Sequence, residues 1–343
     1  MNRRNFITAL GTMVAWPVAS RAQQSGILTL PKIGFLLAGS LDHCLPACAA
    51  WRPSNTGGVS APSPLAAGIF NELHQLEWVD GRNAIYEPRF SAGDFKRLPS
   101  LAADLVGRKV HIIVATGGAT TVRAAQEATS TLPIVGLADD MVGSGLVASL
   151  AQPGGNTTGV SILASELNAK RVELLAEMVP SARRIAALAQ SKSDPSLPRV
   201  AAAAHERNME LVVFEAQGLD RISDALAAVS TAGIDAINVL ASAILYNGRH
   251  AVLDQIAELR LPAIYQWPEY AAEGGLMGYG PTQASIARLV AEQVDRVLRG
   301  ARPTQLPVVQ PTAFTLAINL KTAKALGLTA PASLIARAAE VIE

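Results

Sequence analysis

From Lys32 onward, short apolar segments alternate with amphipathic segments of helical length, and this alternation restricts the possible folds more than any other feature. Each apolar run ends near Gly, Ser, Thr or Asp, and residues such as Ile69, Leu73 and Leu76 recur at the spacing of one helix face. The predicted strands are 32–38, 84–90, 111–115, 133–137, 184–188, 211–214, 235–240, 262–265, 275–279 and 314–318. The predicted helices are 65–78, 98–107, 119–129, 166–178, 198–208, 222–229, 249–259 and 285–299.

Two successive strand–helix series of similar size predict two doubly wound lobes, not a barrel of equal units. The joint between them is predicted at 153–159, where Pro, Gly and polar residues suit a crossover. The later strands at 275–279 and 314–318 predict two further crossings, near 278–281 and 311–318. The predicted fold class is α/β, with two Rossmann-like lobes joined by a hinge of three crossovers. The predicted lobes are 28–156 plus about 281–312, and 157–280 plus about 318–343.

The first 22 residues have the pattern of a cleaved export signal, with a charged start, a short apolar middle and small residues at the end. Arg3 and Arg4, with Phe6 two places on, favour the twin-arginine route, and Arg21 disfavours the general secretory route. A membrane anchor would need about 18 or more apolar residues in a row. We expect cleavage after about Ala22 and, without a lipoprotein cysteine at that point, a protein free in the periplasm.

The charge balance argues against a polyanionic partner. Removing residues 1–22 takes away three arginines and no acidic residue, so the net charge changes from +1 to −2. This near-neutral chain lacks the excess of positive charge that is typical of proteins that bind nucleic acid or an anionic membrane. We expect a soluble monomer whose cores consist mainly of Ala, Val, Leu and Ile, because aromatic residues make up only 5% of the sequence.

The two cysteines, Cys44 and Cys48, lie in a stretch at 40–64 that fits neither strand–helix series. An oxidising compartment would permit a disulfide between them, but only in an irregular loop, since side chains four apart on a helix run parallel. His43 with the two cysteines lacks an evident fourth ligand, so we predict no metal site and no cofactor. The pairing of the cysteines and the role of the loop stay open.

No catalytic motif stands out in the chain. It has no P-loop lysine motif, no Gly-x-Gly-x-x-Gly after the first strand, no His-Glu-x-x-His and no Gly-x-Ser-x-Gly. Its histidines are scattered, at His43, His74, His111, His205 and His250. This pattern predicts that the protein is not an enzyme.

The candidate ligand site comes from the strand-end loops, because ligands of open α/β sheets bind outside the carboxyl ends of the strands. Thr116, Gly117 and Gly118 follow the strand at 111–115 and open a helix that contains Thr120. Glycines let a backbone approach a ligand, and free N–H groups with Thr hydroxyls can hold a carboxylate or a phosphate. An ordinary N-capped turn between strand and helix is the alternative.

Two acidic residues end the next strand. Of this pair, Asp139 and Asp140, we take Asp140 as the partner for a cationic group of the ligand. The alternative is that Asp140 caps the stretch from Val142. Ser40 and Ser161 are further predicted ligand-binding residues of the first half of the chain.

The second strand–helix series provides the candidate residues on the opposite side of the predicted ligand site. Ser242 and Tyr246 follow one predicted strand, and Gln266 and Trp267 follow another. Trp267 could stack on a flat ligand, whereas core or lobe-edge packing is the alternative for any single aromatic residue.

Three sequence blocks resemble ABC-transporter substrate-binding proteins of the TrpX-like family. The first is DMVGSGLVASLAQPGGNTTG at 140–159, in which Asp140 matches an Asp of the family. The second is EGGLMGYGP at 273–281, and the third is INLKTAKALGL at 318–328. The resemblance covers most of the chain and implies a type I periplasmic binding protein that captures a small ligand by hinge closure. It also implies an ABC permease as partner, and some relatives are linked to aromatic amino acids.

The sequence departs from this family where specificity would be decided. Ser242 stands where an Asp is expected, Gln266 where a Gly is expected, and Met141 where a Pro is expected. Ala-Gln-Ser at 189–191 replaces an Asn-Pro pair, and the 40–64 stretch replaces a short path into the first helix. The ligand therefore does not carry over from the family.

The function expected from these observations is that of a solute-binding component of an ABC importer, with an amino acid or related carboxylate as ligand. Two alternatives stay open, an exported ligand-sensing subunit and an α/β enzyme, because a fold alone does not choose among them.

Overall fold

The computed structural model describes residues 30–39 and 63–343. The predicted export signal, Ser40 and the pair Cys44 and Cys48 lie outside the described residues. Within the described part of the chain, no helix is long and apolar enough to cross a membrane.

Twelve strands are present in the described residues. They are β1 (Lys32–Leu37), β2 (Ile85–Phe90), β3 (Ile112–Thr116), β4 (Ile134–Ala138), β5 (Thr157–Ser161), β6 (Arg184–Ala189), β7 (Glu210–Glu215), β8 (Ala236–Val239), β9 (Ala263–Tyr265), β10 (Met277–Gly280), β11 (Thr315–Asn319) and β12 (Glu340–Ile342).

Twelve α-helices accompany them in the same residues. They are α1 (Pro64–Gln75), α2 (Leu98–Gly107), α3 (Ala119–Ala128), α4 (Ala164–Met178), α5 (Leu197–His205), α6 (Ile222–Thr231), α7 (Ala243–Asn247), α8 (Arg249–Leu259), α9 (Glu269–Ala272), α10 (Gln283–Leu298), α11 (Leu320–Ala325) and α12 (Ala332–Arg337).

The strands form two sheets, one in each lobe. The first has the order β2-β1-β3-β4-β5, and the second has the order β12-β11-β10-β9-β8-β6-β7. All pairings are parallel except that of β10 with β11, which is antiparallel. This arrangement confirms the predicted class of two α/β lobes.

Helices cover both faces of each sheet, so the central strands are buried along their whole length. In the first lobe, α1 and α10 pack together on one face, and α2 and α3 lie on the other. A Cβ at Gly68 would lie 2.9 Å from Cβ of Ala287, so this glycine permits the close approach of α1 to α10. In the second lobe, α4 and α5 cover one face, and α6 and α8 cover the other.

The chain crosses between the lobes three times. It leaves the first sheet after β5, enters α10 after β10, and returns to β11 from a segment that lies beside β5. In that segment the Val309 N–H donates to Gly159 O at 2.9 Å, and the Ser161 N–H donates to Val309 O at 3.0 Å. The three predicted crossovers are therefore present.

The position predicted for the first crossing is wrong. Residues 157–161 form β5, which pairs with β4, so the chain leaves the first sheet after Ser161 and not within 153–159. This strand is polar in sequence, and yet Thr157 and Thr158 are buried because their hydroxyls have partners. The Thr158 hydroxyl donates to Leu306 O at 2.7 Å, and Thr157 Oγ1 accepts from Gln126 Nε2 at 2.9 Å.

Candidate ligand-binding site

A pocket lies between the lobes, where the carboxyl ends of β1, β3 and β4 face those of β8 and β9. Its volume is about 590 Å³, a figure that includes the open mouth of the pocket. The described residues that line it are Leu37, Ala38, Gly39, Ser63, Leu65, Thr116, Gly117, Gly118, Leu137, Ala138, Asp139, Ile162, Ser242, Ala243, Tyr246, Asn247, Gln266 and Trp267.

The first-lobe rim is the turn between β3 and α3. Gly117 has φ +124°, and a Cβ there would lie 2.2 Å from Cβ of Ala38, so only glycine fits. The N–H groups of Gly117 and Gly118 have no hydrogen-bond partner among the described residues. They lie at the start of α3, where the helix dipole favours a negative group. This rim is therefore suited to an anion such as a carboxylate.

Asp139 is the only charged side chain among the described residues that line the pocket. No hydrogen bond or ion pair joins its carboxylate to another described residue. The pKa of Asp139 is raised to about 6, mainly by burial and also by the negative charges of Asp194 and Asp140, against the opposing positive charge of Arg171. An unpaired carboxylate in this position is suited to an ammonium group.

Asp140, the residue predicted from the sequence, lies outside the lining of the pocket. Its Oδ1 accepts hydrogen bonds from the N–H groups of Val142 at 3.1 Å and Gly143 at 2.8 Å. Asp140 therefore caps the stretch from Val142, as the alternative prediction stated. Thr120 is exposed on α3, and Ser161 Oγ accepts the Met141 N–H at 3.2 Å. Neither Thr120 nor Ser161 lines the pocket.

Ser242 and Gln266 form the polar part of the second-lobe wall. The Ser242 N–H donates to Gln266 Oε1 at 2.9 Å, and its hydroxyl donates to Gln190 Oε1 at 3.0 Å. Ser242 Oγ also accepts the N–H groups of Ile244 and Leu245, which caps α7. These bonds fix the wall in place before any ligand arrives.

Tyr246 and Trp267 form the aromatic part of the same wall. Their ring centroids lie 6.2 Å apart in an edge-to-face arrangement. The Tyr246 hydroxyl donates to Gln283 Oε1 at 2.9 Å, and the Arg249 guanidinium lies 5.2 Å from the Tyr246 ring centroid. With Leu65 and Ile162 from the first-lobe side, this wall offers an apolar environment for a ligand side chain.

A buried guanidinium supports the wall from behind. Arg171 of α4 is 1% exposed, and it donates to Tyr279 O at 2.8 Å and to Gln266 O at 3.0 Å. Its third partner is Asn168 Oδ1 at 2.5 Å, so all three acceptors are neutral. Burial lowers the pKa of Arg171, and the negative charge of Asp139 raises it. The two opposite charges therefore attract each other.

The arrangement is one for binding. No group of His, Cys, Asp or Glu in the described ranges could hold a metal ion. The rim, Asp139 and the aromatic wall instead offer places for an anion, a cation and an apolar group in one space.

The comparison with known families decides the class of the protein. The model of the family described as "ABC transporter substrate binding protein" matches residues 59–342. The chain belongs to this family. It is a substrate-binding protein and not an enzyme, as the sequence predicted.

Relatives of this substrate-binding protein agree with that assignment. A "Tyrosine-binding protein" of Clostridioides difficile is 27% identical over 267 residues, which are 76% of each chain. An ABC domain of Streptococcus pneumonia in complex with L-Trp has a TM-score of 0.78 at 24% identity, covering 92% of this chain and all of the other. A conserved domain protein of Vibrio cholerae has a TM-score of 0.79 at 23% identity, covering 91% and 100%. These two structures confirm the type I periplasmic binding protein fold.

Sequence reasoning placed seven of its eleven candidates on this substrate-binding protein's pocket: Thr116, Gly117, Gly118, Ser242, Tyr246, Gln266 and Trp267. It missed Asp139, Asn247 and the supporting Arg171. Asp139 stands beside the chosen Asp140, just past the end of β4, and the sequence does not show which of the two carboxylates has hydrogen-bond partners. No pattern in the sequence indicated the role of Arg171, because an arginine in a helix is normally expected to be exposed to solvent.

Proposed function

We propose that this protein binds a free aromatic α-amino acid between its lobes and presents it to an ABC importer. The observation that carries the proposal is the presence, in one pocket, of the Asp139 carboxylate and the N–H groups of Gly117 and Gly118, none of which has a hydrogen-bond partner among the described residues. An α-amino acid presents an ammonium and a carboxylate on one carbon, which is the charge pattern that these groups complement.

The ligand's two charged groups bind to the first lobe. Its carboxylate accepts from the N–H groups at the start of α3, where the helix dipole adds to the attraction. Its ammonium donates to Asp139. Because no Lys or Arg is among the described lining residues, an uncompensated anionic ligand would meet the Asp139 charge.

The ligand's side chain lies against the aromatic wall of the second lobe. Tyr246 and Trp267 present ring surfaces, and Leu65 and Ile162 close the apolar space from the first-lobe side. The relatives described as tyrosine-binding and as an L-Trp complex support an aromatic side chain. Aromatic rings in such walls favour edge-to-face or offset contacts with a ligand ring.

Capture follows from the division of these contacts between the lobes. The charged groups engage the first lobe and the ring engages the second, so the ligand gains all of its contacts only when the lobes are closed. A ligand with this differential affinity shifts the population toward the closed form. A permease in the inner membrane would then recognise that form.

Calorimetric titration with L-tyrosine, L-tryptophan and L-phenylalanine tests the ligand class. Two truncated analogues serve as controls: tyramine, which lacks the carboxylate, and 3-(4-hydroxyphenyl)propionate, which lacks the amine. We expect each analogue to bind at least about tenfold more weakly than tyrosine, because each loses a charge-assisted hydrogen bond. Equal binding of the analogues, or no binding of the three amino acids, would overturn the proposal.

We propose the periplasm as the site of action and the twin-arginine route as the path to it. The supporting observations are the paired Arg3 and Arg4 and the short apolar run that follows them. Replacing both arginines with lysine should leave the unprocessed protein in the cytoplasmic fraction of its host. Normal processing and release of that variant by osmotic shock would contradict the twin-arginine assignment.

A further inference from the structure

A second contact between the lobes lies beside the pocket. It joins residues 92–96 of the first lobe to residues 217–221 of the second, with Ile244 at the same groove. At its centre Leu219 covers Gly93: a Cβ built on Gly93 would lie 2.5 Å from Leu219 Cδ1. Gly93 has φ +80°, so both its backbone and its missing side chain allow this approach.

The first-lobe half of this contact is bonded to the pocket. The Gly93 N–H donates to Ala38 O at 3.0 Å, and the Ala92 N–H donates to Gly39 O at 3.2 Å. Ala38 and Gly39 both line the pocket. The carbonyl of Ala38 also accepts from Asn247 Nδ2 of the second lobe at 3.2 Å.

The second-lobe half is equally close to the pocket. A Cβ on Gly248 would lie 3.2 Å from Leu219 Cδ2, so Leu219 packs where α7 ends. That helix carries Tyr246 and Asn247, which line the pocket. Leu219 itself is not among the lining residues and remains 39% exposed.

We propose that Leu219 and Gly93 form an apolar latch that stabilises the closed form, so that Leu219 sets ligand affinity without touching the ligand. In the described residues the chain passes between the lobes at the three crossovers, and opening the lobes about these crossovers draws the two sides of this contact apart. A contact that exists only in the closed form lowers the apparent Kd by up to the factor by which it favours closure. A bound ligand leaves only after the lobes open, so loss of this contact raises the dissociation rate.

The choice of ligand for the test rests on the proposed function, but the contact between Leu219 and Gly93 forms without any ligand. It favours closure of the ligand-free protein too. A variant that lacks it should therefore be more open before anything binds, and this property separates the two hypotheses.

The first experiment compares Leu219→Ala with Ile335→Ala. Ile335 is also 39% exposed, but it lies on α12, so it controls for the loss of an exposed apolar side chain. Relative to that control, we expect a larger radius of gyration of ligand-free Leu219→Ala in X-ray solution scattering. We also expect Kd values for L-tyrosine and L-tryptophan raised about fivefold, the equivalent of one to two methylene groups returned to water. The melting temperature of the ligand-free variant should match the control.

The second experiment is a double-mutant cycle with Gly93→Ala. The added methyl group conflicts with Leu219 only in the closed form, whereas the backbone strain at φ +80° is common to open and closed forms. Gly93→Ala should therefore raise the Kd strongly in the wild-type background and much less in the Leu219→Ala background.

The outcomes separate the hypotheses. Equal effects of Gly93→Ala in both backgrounds, or scattering curves of Leu219→Ala and Ile335→Ala that coincide, would refute the latch. If the wild-type protein binds neither amino acid, the proposed ligand class fails, and the scattering comparison still decides on the latch.

Discussion

Replacing Asp139 with Asn removes one charge from the pocket while keeping the volume of the side chain. If the ligand ammonium pairs with this carboxylate, the variant loses a charge-assisted hydrogen bond, worth about 1.5–3 kcal/mol. The Kd for L-tyrosine should then rise about 10- to 150-fold. Asp140→Asn is the matched control, because Asp140 caps a neighbouring turn outside the pocket and its replacement should leave the Kd unchanged.

The same carboxylate predicts how affinity depends on pH. Burial raises the pKa of Asp139 to about 6 in the ligand-free protein. An ammonium ligand binds the ionised form, so affinity should rise with pH through about 6 and level off above it. At pH 5 about one molecule in ten carries the ionised carboxylate, which makes the Kd about tenfold higher than at pH 7.5.

Calorimetric titrations of L-tyrosine at pH 5, 6 and 7.5 test this dependence in the wild type and in both variants. The pH dependence should persist in Asp140→Asn and vanish in Asp139→Asn. A wild-type Kd that stays constant over this range, or an Asp139→Asn variant that keeps the wild-type profile, would refute the assignment of the ammonium to Asp139.

Three further predictions concern the framework of the site. Gly117→Ala should lower the melting temperature in circular dichroism, by the equivalent of about 2 kcal/mol or more, because the new Cβ would meet Ala38 at a strained φ. Tyr246→Phe should cost about 1–2 kcal/mol in urea unfolding, since it leaves the buried Gln283 amide oxygen without its donor. In the same assay Arg171→Met should cost about 2–4 kcal/mol, since two carbonyl groups that support the wall lose a charged donor. Unfolding midpoints equal to those of the wild type would contradict each of them.

The pH dependence of stability has the opposite sign to that of binding. A carboxyl group whose pKa is raised by folding holds its proton more tightly in the folded state, so stability is lost as pH rises from about 4 to about 6. Asp139→Asn should remove this loss and make the ligand-free protein more stable above pH 6 than the wild type. Urea unfolding at pH 4.5 and pH 7 measures the difference, and a variant no more stable than the wild type at pH 7 would contradict it.

Much of the fold was predictable because parallel strands and their covering helices leave strong periodic patterns. The predicted helices at 98–107 and 249–259 match α2 and α8 in full. Elements were missed where the pattern is weak. The buried Thr157 and Thr158 of β5 look like a polar turn until their hydroxyl partners are known, and short helices such as α7 and α9 span too few residues to show a period.

The site was predictable to the level of loops but not always of side chains. Thr116 and Ser242 follow strands whose carboxyl ends meet at the pocket, so topology alone brings them together. Choosing between Asp139 and Asp140 required knowing which carboxylate already had partners. Leu219 contacts Gly93 across more than one hundred residues of chain, and no local pattern in the sequence links them.

The helix α10 gives the first lobe an unusual order of assembly. The five strands of the first lobe are complete at residue 161, but α10, which packs on α1 at the same face of that sheet, is formed by residues 283–298. The second lobe is likewise incomplete until β11 and β12 near the end of the chain join its sheet. During synthesis, therefore, the first lobe cannot reach its packed state before α10 is made, nor the second lobe before β11 and β12 are made. Folding of both lobes becomes a late, shared event governed by contacts distant in sequence.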